Sequence, residues 1–145
     1  METIKKISLK LGRSKYERKQ VKSSQDVADY VRQFYGTDIE LFESSFLLLL
    51  DQSNTTIGYA KISQGGICGT IVDIKIICKY VVDSLAQGVI LCHNHPSGNL
   101  TPSQGDKNIT EKLANALKLL DSRLFDHIII SKNAHYSIQD NDGIN

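Results

Sequence analysis

The sequence predicts an α/β domain: a mixed central sheet with helices packed on it. Two observations carry this. Segments of strand character at 45–51, 55–63, 88–93 and 126–131 interleave with segments of helical character at 24–35, 73–86 and 102–120. The chain, 145 residues long, can bury one proper core without staples and shows no repeats, low-complexity tracts or linkers. The expected organisation is one compact domain over 23–145, preceded by a basic arm at 1–22.

Taken in order, Ile4, Ile7, Leu9 and Leu11 suggest a short strand at 3–11 whose lysines guard a sheet edge. The helix at 24–35 follows, and then two strands, 45–51 and 55–63, joined by a hairpin turn at Gln52-Ser53-Asn54. Gly65, Gly66 and Gly69 mark a flexible loop placed to border a substrate groove. After the helix at 73–86, the run GVILC (88–92) is short, apolar and rich in β-formers, so it reads as a buried strand that ends at His93. Pro96, Gly98 and Asn99 force a turn. Thr101 is the expected N-cap of the next helix, with Pro102 at its first position, where the missing N–H costs nothing. That helix, 102–120, presents Ile109, Leu113, Ala116, Leu117 and Leu120 as its buried stripe. A core strand at 126–131, a tight turn near Asn133 that leaves His135 exposed, and a strand at 135–138 complete the chain.

The chemistry concentrates in fourteen residues: His93, His95, Ser103 and Asp106. Two imidazoles and a carboxylate suit a catalytic zinc, because structural sites fill all four positions with protein groups, usually thiolates. Extended backbone puts His93 and His95 on one strand face. Ser103 and Asp106, spaced i, i+3, share a helix face. Plainer readings stand beside this one. A His-x-His in a loop is often incidental, and a Ser-x-x-Asp at a helix start is usually a cap placed at the positive end of the helix dipole.

The spacing His-x-His, seven residues, Ser, two residues, Asp resembles the JAMM signature of the JAB/MPN+ metallohydrolases. The string HNHPSGNLTPSQGD (93–106) resembles the RadC-like branch in particular. So do ESSFLLLLD (43–51), GGICGTIVDIKII (65–77), ITEKL (109–113) and FDHIIIS (125–131), so the likeness covers roughly residues 40–140. The resemblance implies a JAB/MPN-type domain of cytidine-deaminase-like topology. It implies His93, His95 and Asp106 as zinc ligands, Glu43 as the carboxylate that activates water, and Ser103 as a donor to the oxyanion. Read without the family, Glu43 is a solvated glutamate at a strand end. The roles are chemically sound: zinc lowers the pKa of its water to about 7, so a nearby carboxylate can take the proton at neutral pH. The implied activity is hydrolysis of a peptide or isopeptide bond in a peptide or protein substrate. Gly105, between Ser103 and Asp106, loosens the helical turn that carries a ligand. His127, in a family-like Asp-His pair, is either a group that orients a ligand or a hydrogen-bonded structural residue.

Several classes are excluded. The zinc deaminase pattern of His-x-Glu with Pro-Cys-x-x-Cys is missing, as are His-Glu-x-x-His and any phosphate-binding Gly-x-x-x-x-Gly-Lys loop. Cys68, Cys78 and Cys92 form no Cys-x-x-Cys and are odd in number, which points to a reducing cytoplasm, with Cys92 a buried thiol turned away from the metal. No apolar run approaches a membrane span, and the N-terminus lacks a signal-peptide core. Charge is balanced at +1 overall but unevenly spread. Residues 1–22 hold eight Lys or Arg against Glu2 and Glu17, a net of +6, and the remainder carries −5. Such an arm fits contact with nucleic acid. The resemblance to RadC-like proteins implies an association with DNA repair, which with the arm leaves a second reading, a non-hydrolytic DNA-repair-associated accessory protein; a third is a fold that binds a peptide tail by strand addition without cutting it. An exposed N-terminal strand also has the means to pair with a copy of itself, giving a homodimer. RadC-like proteins often carry a helix-hairpin-helix segment ahead of this domain. Residues 1–40 have no room for one, so the chain is expected to be the JAB domain almost alone. Iron or manganese would also suit the ligand set.

Overall fold

Strand β1 (Ser44–Leu50) is buried at every position and pairs antiparallel on both sides, with β2 (Thr56–Gln64) and β3 (Gly88–Asn94). In the computed structural model, which describes residues 1–6, 8, 10–65 and 72–145, β3 pairs parallel with β4 (Arg123–Ile130), and β5 (His135–Ser137) closes the far edge antiparallel. The order is β2-β1-β3-β4-β5. A parallel neighbour demands a crossover, and α3 (Gln104–Lys118) supplies it between β3 and β4.

Alternation along the central strands builds two cores. Leu47, Leu49, Val89 and Leu91 face α3 and α2 (Ile74–Ser84), where they meet Ile77, Val81, Leu113 and Leu117. Leu48, Leu50, Ile90, Cys92, Ile128 and Ile130 face the other way, onto Val27, Ala28 and Val31 of α1 (Ser24–Arg32). Strands buried on both faces read as continuous apolar runs rather than alternating ones, which is why β1 and β3 are so apolar. The expected mixed sheet with packed helices is the observed architecture. Among the described residues no helix is long and apolar enough to cross a membrane.

Local chemistry sets the ends of the helices. Ser23 caps α1 by accepting the Asp26 N–H, and Asp73 caps α2 by accepting the Lys75 N–H. The stretch expected as helix to residue 35 stops at Arg32, because the next aromatic residues turn onto the sheet. Phe34 stacks on Tyr59 at 4.4 Å between ring centroids, and the Tyr35 hydroxyl donates to the Ser44 carbonyl at 2.6 Å.

Four expectations are corrected. The described residues of 3–11 form no strand. The edge of β2 near its start is already engaged by later residues, since Thr56 N–H donates to Lys19 and Val21 N–H to Asn54. The N-cap of α3 is Ser103, not Thr101, and Pro102 precedes the cap. The buried stripe of α3 is Thr110, Leu113, Ala114 and Leu117, with Leu120 exposed beyond the helix end. Finally, the chain turns from β5 into a short helix, α4 (Ile138–Asn141), capped by Ser137. The glycine-marked loop lies, but for Gly65, outside the described residues.

One glycine is fixed by packing. A Cβ at Gly88 would stand 2.0 Å from the Phe125 ring, which is itself partly buried against the α1-side core. Gly88→Ala is expected to destabilise the fold by about 1–3 kcal/mol, as overpacking does. Urea unfolding measures this, and an unchanged midpoint contradicts the packing described.

Candidate metal centre

The end of β3 delivers the two histidines. His93 still pairs with Ser45 and Ile129, and His95 extends the run by donating its backbone N–H to Ile130 at 3.1 Å. Both imidazoles therefore lie on the α3 side of the sheet, His93 buried and His95 half-buried. Asp106 comes from the first turn of α3. The Ser103 hydroxyl accepts the Asp106 N–H at 3.0 Å while the Asp106 carboxylate accepts the Ser103 N–H at 2.8 Å. This reciprocal cap satisfies two groups at once and outcompetes a single cap from Thr101. Glu43 directly precedes β1, the antiparallel neighbour of β3, and so arrives from the far side of the same strand end.

These groups converge. His93 Nε2 and His95 Nε2 are 2.9 Å apart. Asp106 Oδ1 lies 3.3 Å from His93 Nε2, Asp106 Oδ2 lies 3.4 Å from His95 Nε2, and Glu43 Oε1 lies 3.6 Å from His95 Nε2. Glu43, His93 and His95 offer ligand atoms that all fall within 4.8 Å of one another.

Hydrogen bonds behind the imidazoles decide where their protons sit. His95 Nδ1 is 2.6 Å from the Asn99 carbonyl, which can only accept, so Nδ1 carries the hydrogen and neutral His95 has a bare Nε2. On the other side a chain runs through the core. Thr110 spends its one hydroxyl hydrogen on the Asp106 carbonyl at 2.7 Å, so it accepts from His127 Nδ1 at 2.6 Å. His127 then presents a bare Nε2 to His93 Nδ1, 2.8 Å away, which must donate. His93 Nε2 is thus bare as well. Two lone pairs face each other at hydrogen-bond distance beside a carboxylate, and only positive charge placed between them, a proton or a metal cation, relieves the contact. Nitrogen and oxygen donors around tetrahedral zinc, bonded at 2.0–2.1 Å, stand about 3.3–3.4 Å from one another. The Asp106 contacts match that spacing and the two imidazole nitrogens stand closer, at 2.9 Å; the donor set of two imidazoles and a carboxylate suits such a cation.

The electrostatics follow from the same contacts. The hydrogen bond to Asp106 raises the pKa of His95 above the ordinary histidine value, against the effect of burial. Burial works to raise the Asp106 carboxyl, but the adjoining His93 and His95 imidazoles outweigh it and hold the group well below the usual carboxylate range. His127 is driven well below the ordinary histidine value, first by complete burial and then by the neighbouring His93. It stays neutral, as the proton chain requires.

The structure thus gathers His93, His95, Asp106 and Glu43 at one point and holds Ser103 at its rim, where the cap leaves the hydroxyl hydrogen free to donate. Of the two readings for His127, the geometry shows a fully buried histidine bonded directly to His93. His135 is only partly exposed, with its Nε2 3.4 Å from Ser24 Oγ. Cys92 faces the opposite core beside Tyr35, and burial pushes its thiol up to about 12. Sequence reasoning passed over Thr110 and Asn94. Thr110 carried a signal: a polar residue four after Asp106, on the same helix face.

A profile of the RadC-like JAB domain family matches residues 21–144. A UPF0758 protein of Flavobacterium johnsoniae is 44% identical over 123 residues, covering 84% of this chain and 52% of that protein. One from Coprothermobacter proteolyticus is 38% identical over 124 residues, 84% of this chain and 53% of the relative. One from Shewanella baltica is 33% identical over 147 residues, all of this chain and 64% of the relative. The chain spans about half the length of the first two of these curated relatives.

Proposed function

The chain belongs to the RadC-like JAB domain family, and we propose that its domain is a zinc-dependent hydrolase of JAMM type that opens a peptide or isopeptide bond. One observation carries the reading: two imidazole Nε2 atoms 2.9 Å apart, with two carboxylates turned toward them.

Of the two carboxylates, Asp106 is the better third ligand. Its two oxygens face one imidazole each, Oδ1 at 3.3 Å from His93 Nε2 and Oδ2 at 3.4 Å from His95 Nε2, and its reciprocal cap with Ser103 locks it in place. Glu43 stands 3.6 Å from His95 Nε2 and within 4.8 Å of a His93 ring nitrogen, and it lacks a cap of the kind that holds Asp106, so we assign it the place beside the ligand set. When bound, zinc supplies Lewis acidity and lowers the pKa of water to about 7. Glu43 then takes up a proton at its carboxylate and returns it to the leaving amine, the work of a general base and acid. Ser103 donates its free hydroxyl hydrogen toward negative charge that develops on the attacked carbonyl. Three protein ligands rather than four support a catalytic over a structural role.

The buried chain through His127 fixes the His93 ring and its tautomer, as partners behind metal-bound histidines do. Thr110→Val keeps the side-chain shape but removes the acceptor for His127 Nδ1–H. The expected outcome is a fall of about 10–100-fold in zinc affinity, read by competition with a chelator, whereas an unchanged Kd contradicts the chain of bonds.

Function is tested with the zinc-loaded protein on a panel of peptide-linked and isopeptide-linked substrates. Cleavage that a chelator removes and zinc restores is the expected result. A protein that holds zinc yet cleaves none of them favours the accessory-protein reading.

A further inference from the structure

Asn94 sits between the two histidines and points the other way. The alternation that puts His93 and His95 on the α3 side turns residue 94 to the opposite face, where it is fully buried. A buried amide has to find partners for its polar atoms. Its Oδ1 accepts the Ser44 N–H at 2.8 Å, and its two Nδ2 hydrogens go to the Ile39 carbonyl at 2.6 Å and the Phe42 carbonyl at 2.7 Å. The amide cannot be turned round, since its oxygen would then face two carbonyls and its NH2 an N–H.

The partners are not arbitrary. The Phe42 carbonyl belongs to the peptide group before Glu43, and the Ser44 N–H belongs to the one after it. One side chain therefore grips both peptide groups that flank the Glu43 Cα, which fixes the direction in which the glutamate leaves the backbone. The backbone pairing of β1 with β3 ends at Ser45 and His93, and the Asn94 amide takes over for the next residue. Two further bonds brace the same point: the Tyr35 hydroxyl donates to the Ser44 carbonyl at 2.6 Å, and Gly65 N–H donates to the Glu43 carbonyl at 2.9 Å.

We propose that Asn94 is the positioning residue for Glu43: through this grip, the strand that carries His93 and His95 also sets the glutamate carboxylate against them. The inference rests on the reading that Glu43 works at a metal held by those histidines.

The test uses the whole chain with cobalt(II), whose unpaired electrons relax nearby nuclei, and carbon-13 in the glutamate carboxyls. In the wild type the Glu43 carboxyl is strongly relaxed. In Asn94→Ala and in Asn94→Asp, which keeps the side-chain volume, cobalt affinity stays close to wild type, the Ser44 amide exchanges faster, and Glu43 relaxation falls severalfold. Each substitution is also expected to lower kcat by about 100-fold, the order of effect of a misplaced catalytic group, with KM unchanged. In a Glu43→Gln background they add no further loss, because groups that act as a unit are not additive. Undiminished Glu43 relaxation in the folded variants overturns the proposal, as does an equal kcat loss in both backgrounds. Unfolding of both variants overturns it too, since the amide would then serve the whole fold. If the wild type cleaves nothing, the hydrolase reading falls while the relaxation and exchange measurements still decide the role of Asn94. Failure of the wild type to bind cobalt sinks both.

Discussion

Glu43→Gln is expected to lower turnover of a cleavable peptide or isopeptide by about 10²–10⁴-fold while leaving zinc bound, the effect of removing a general base without removing a ligand. The expectation follows from position. The carboxylate stands 3.6 Å from His95 Nε2, beside the three groups assigned to the metal, and its glutamine isostere keeps the shape but cannot hold a proton. KM should change little, because the loss falls on the reaction step. A folded Glu43→Gln protein that turns over at the wild-type rate would remove Glu43 from the mechanism. Loss of zinc together with activity would instead make Glu43 a ligand and reopen the choice between it and Asp106.

The second large effect is on stability. Zinc at about 100 times its Kd should raise the unfolding free energy by about 2.7 kcal/mol, by mass action on the folded state alone. The same addition should leave His95→Ala unmoved. His95 supplies one of two bare nitrogens 2.9 Å apart, and without it the cation loses a donor and the lone-pair opposition that calls for it disappears. Denaturant titrations with and without zinc measure both chains. Equal zinc stabilisation of wild type and His95→Ala would place the cation elsewhere.

Much of the fold was legible because burial writes itself into composition. β1 and β3, covered on both faces, stand out as the runs FLLLL and GVILC, and the turn at Gln52-Ser53-Asn54 sits where Asp51 accepts from Ser53 and Thr55. The misreadings share a cause, which is competition from partners that sequence spacing does not reveal. The lysine-rich arm is expected to guard a sheet edge near its start, whereas the β2 edge near Thr56 is engaged by Lys19; Ile7 and Leu9 lie outside the described residues. The stripe of α3 was displaced because Thr110 is polar yet buried, its hydroxyl taken by Asp106 and His127.

The candidate site divides in the same way. His93, His95, Ser103 and Asp106 were legible because strand end, turn and helix start are contiguous, so local geometry brings them near one another. Glu43 is distant in sequence and needed the resemblance, since only the β1–β3 pairing carries it across. Asn94 was invisible as a spacer, because its meaning lies in Ser44, 50 residues away. The plain reading of Ser103 and Asp106 as a helix cap is also what the structure shows. Capping and metal binding are compatible here: the cap that holds the first turn of α3 is what holds Asp106 against the imidazoles.

The most direct test is the zinc content of purified protein after exposure to zinc and exhaustive dialysis, measured by elemental analysis beside His95→Ala. One zinc per wild-type chain and none in the variant is the predicted result. A wild type without zinc, or a variant that holds as much as the wild type, would contradict the account.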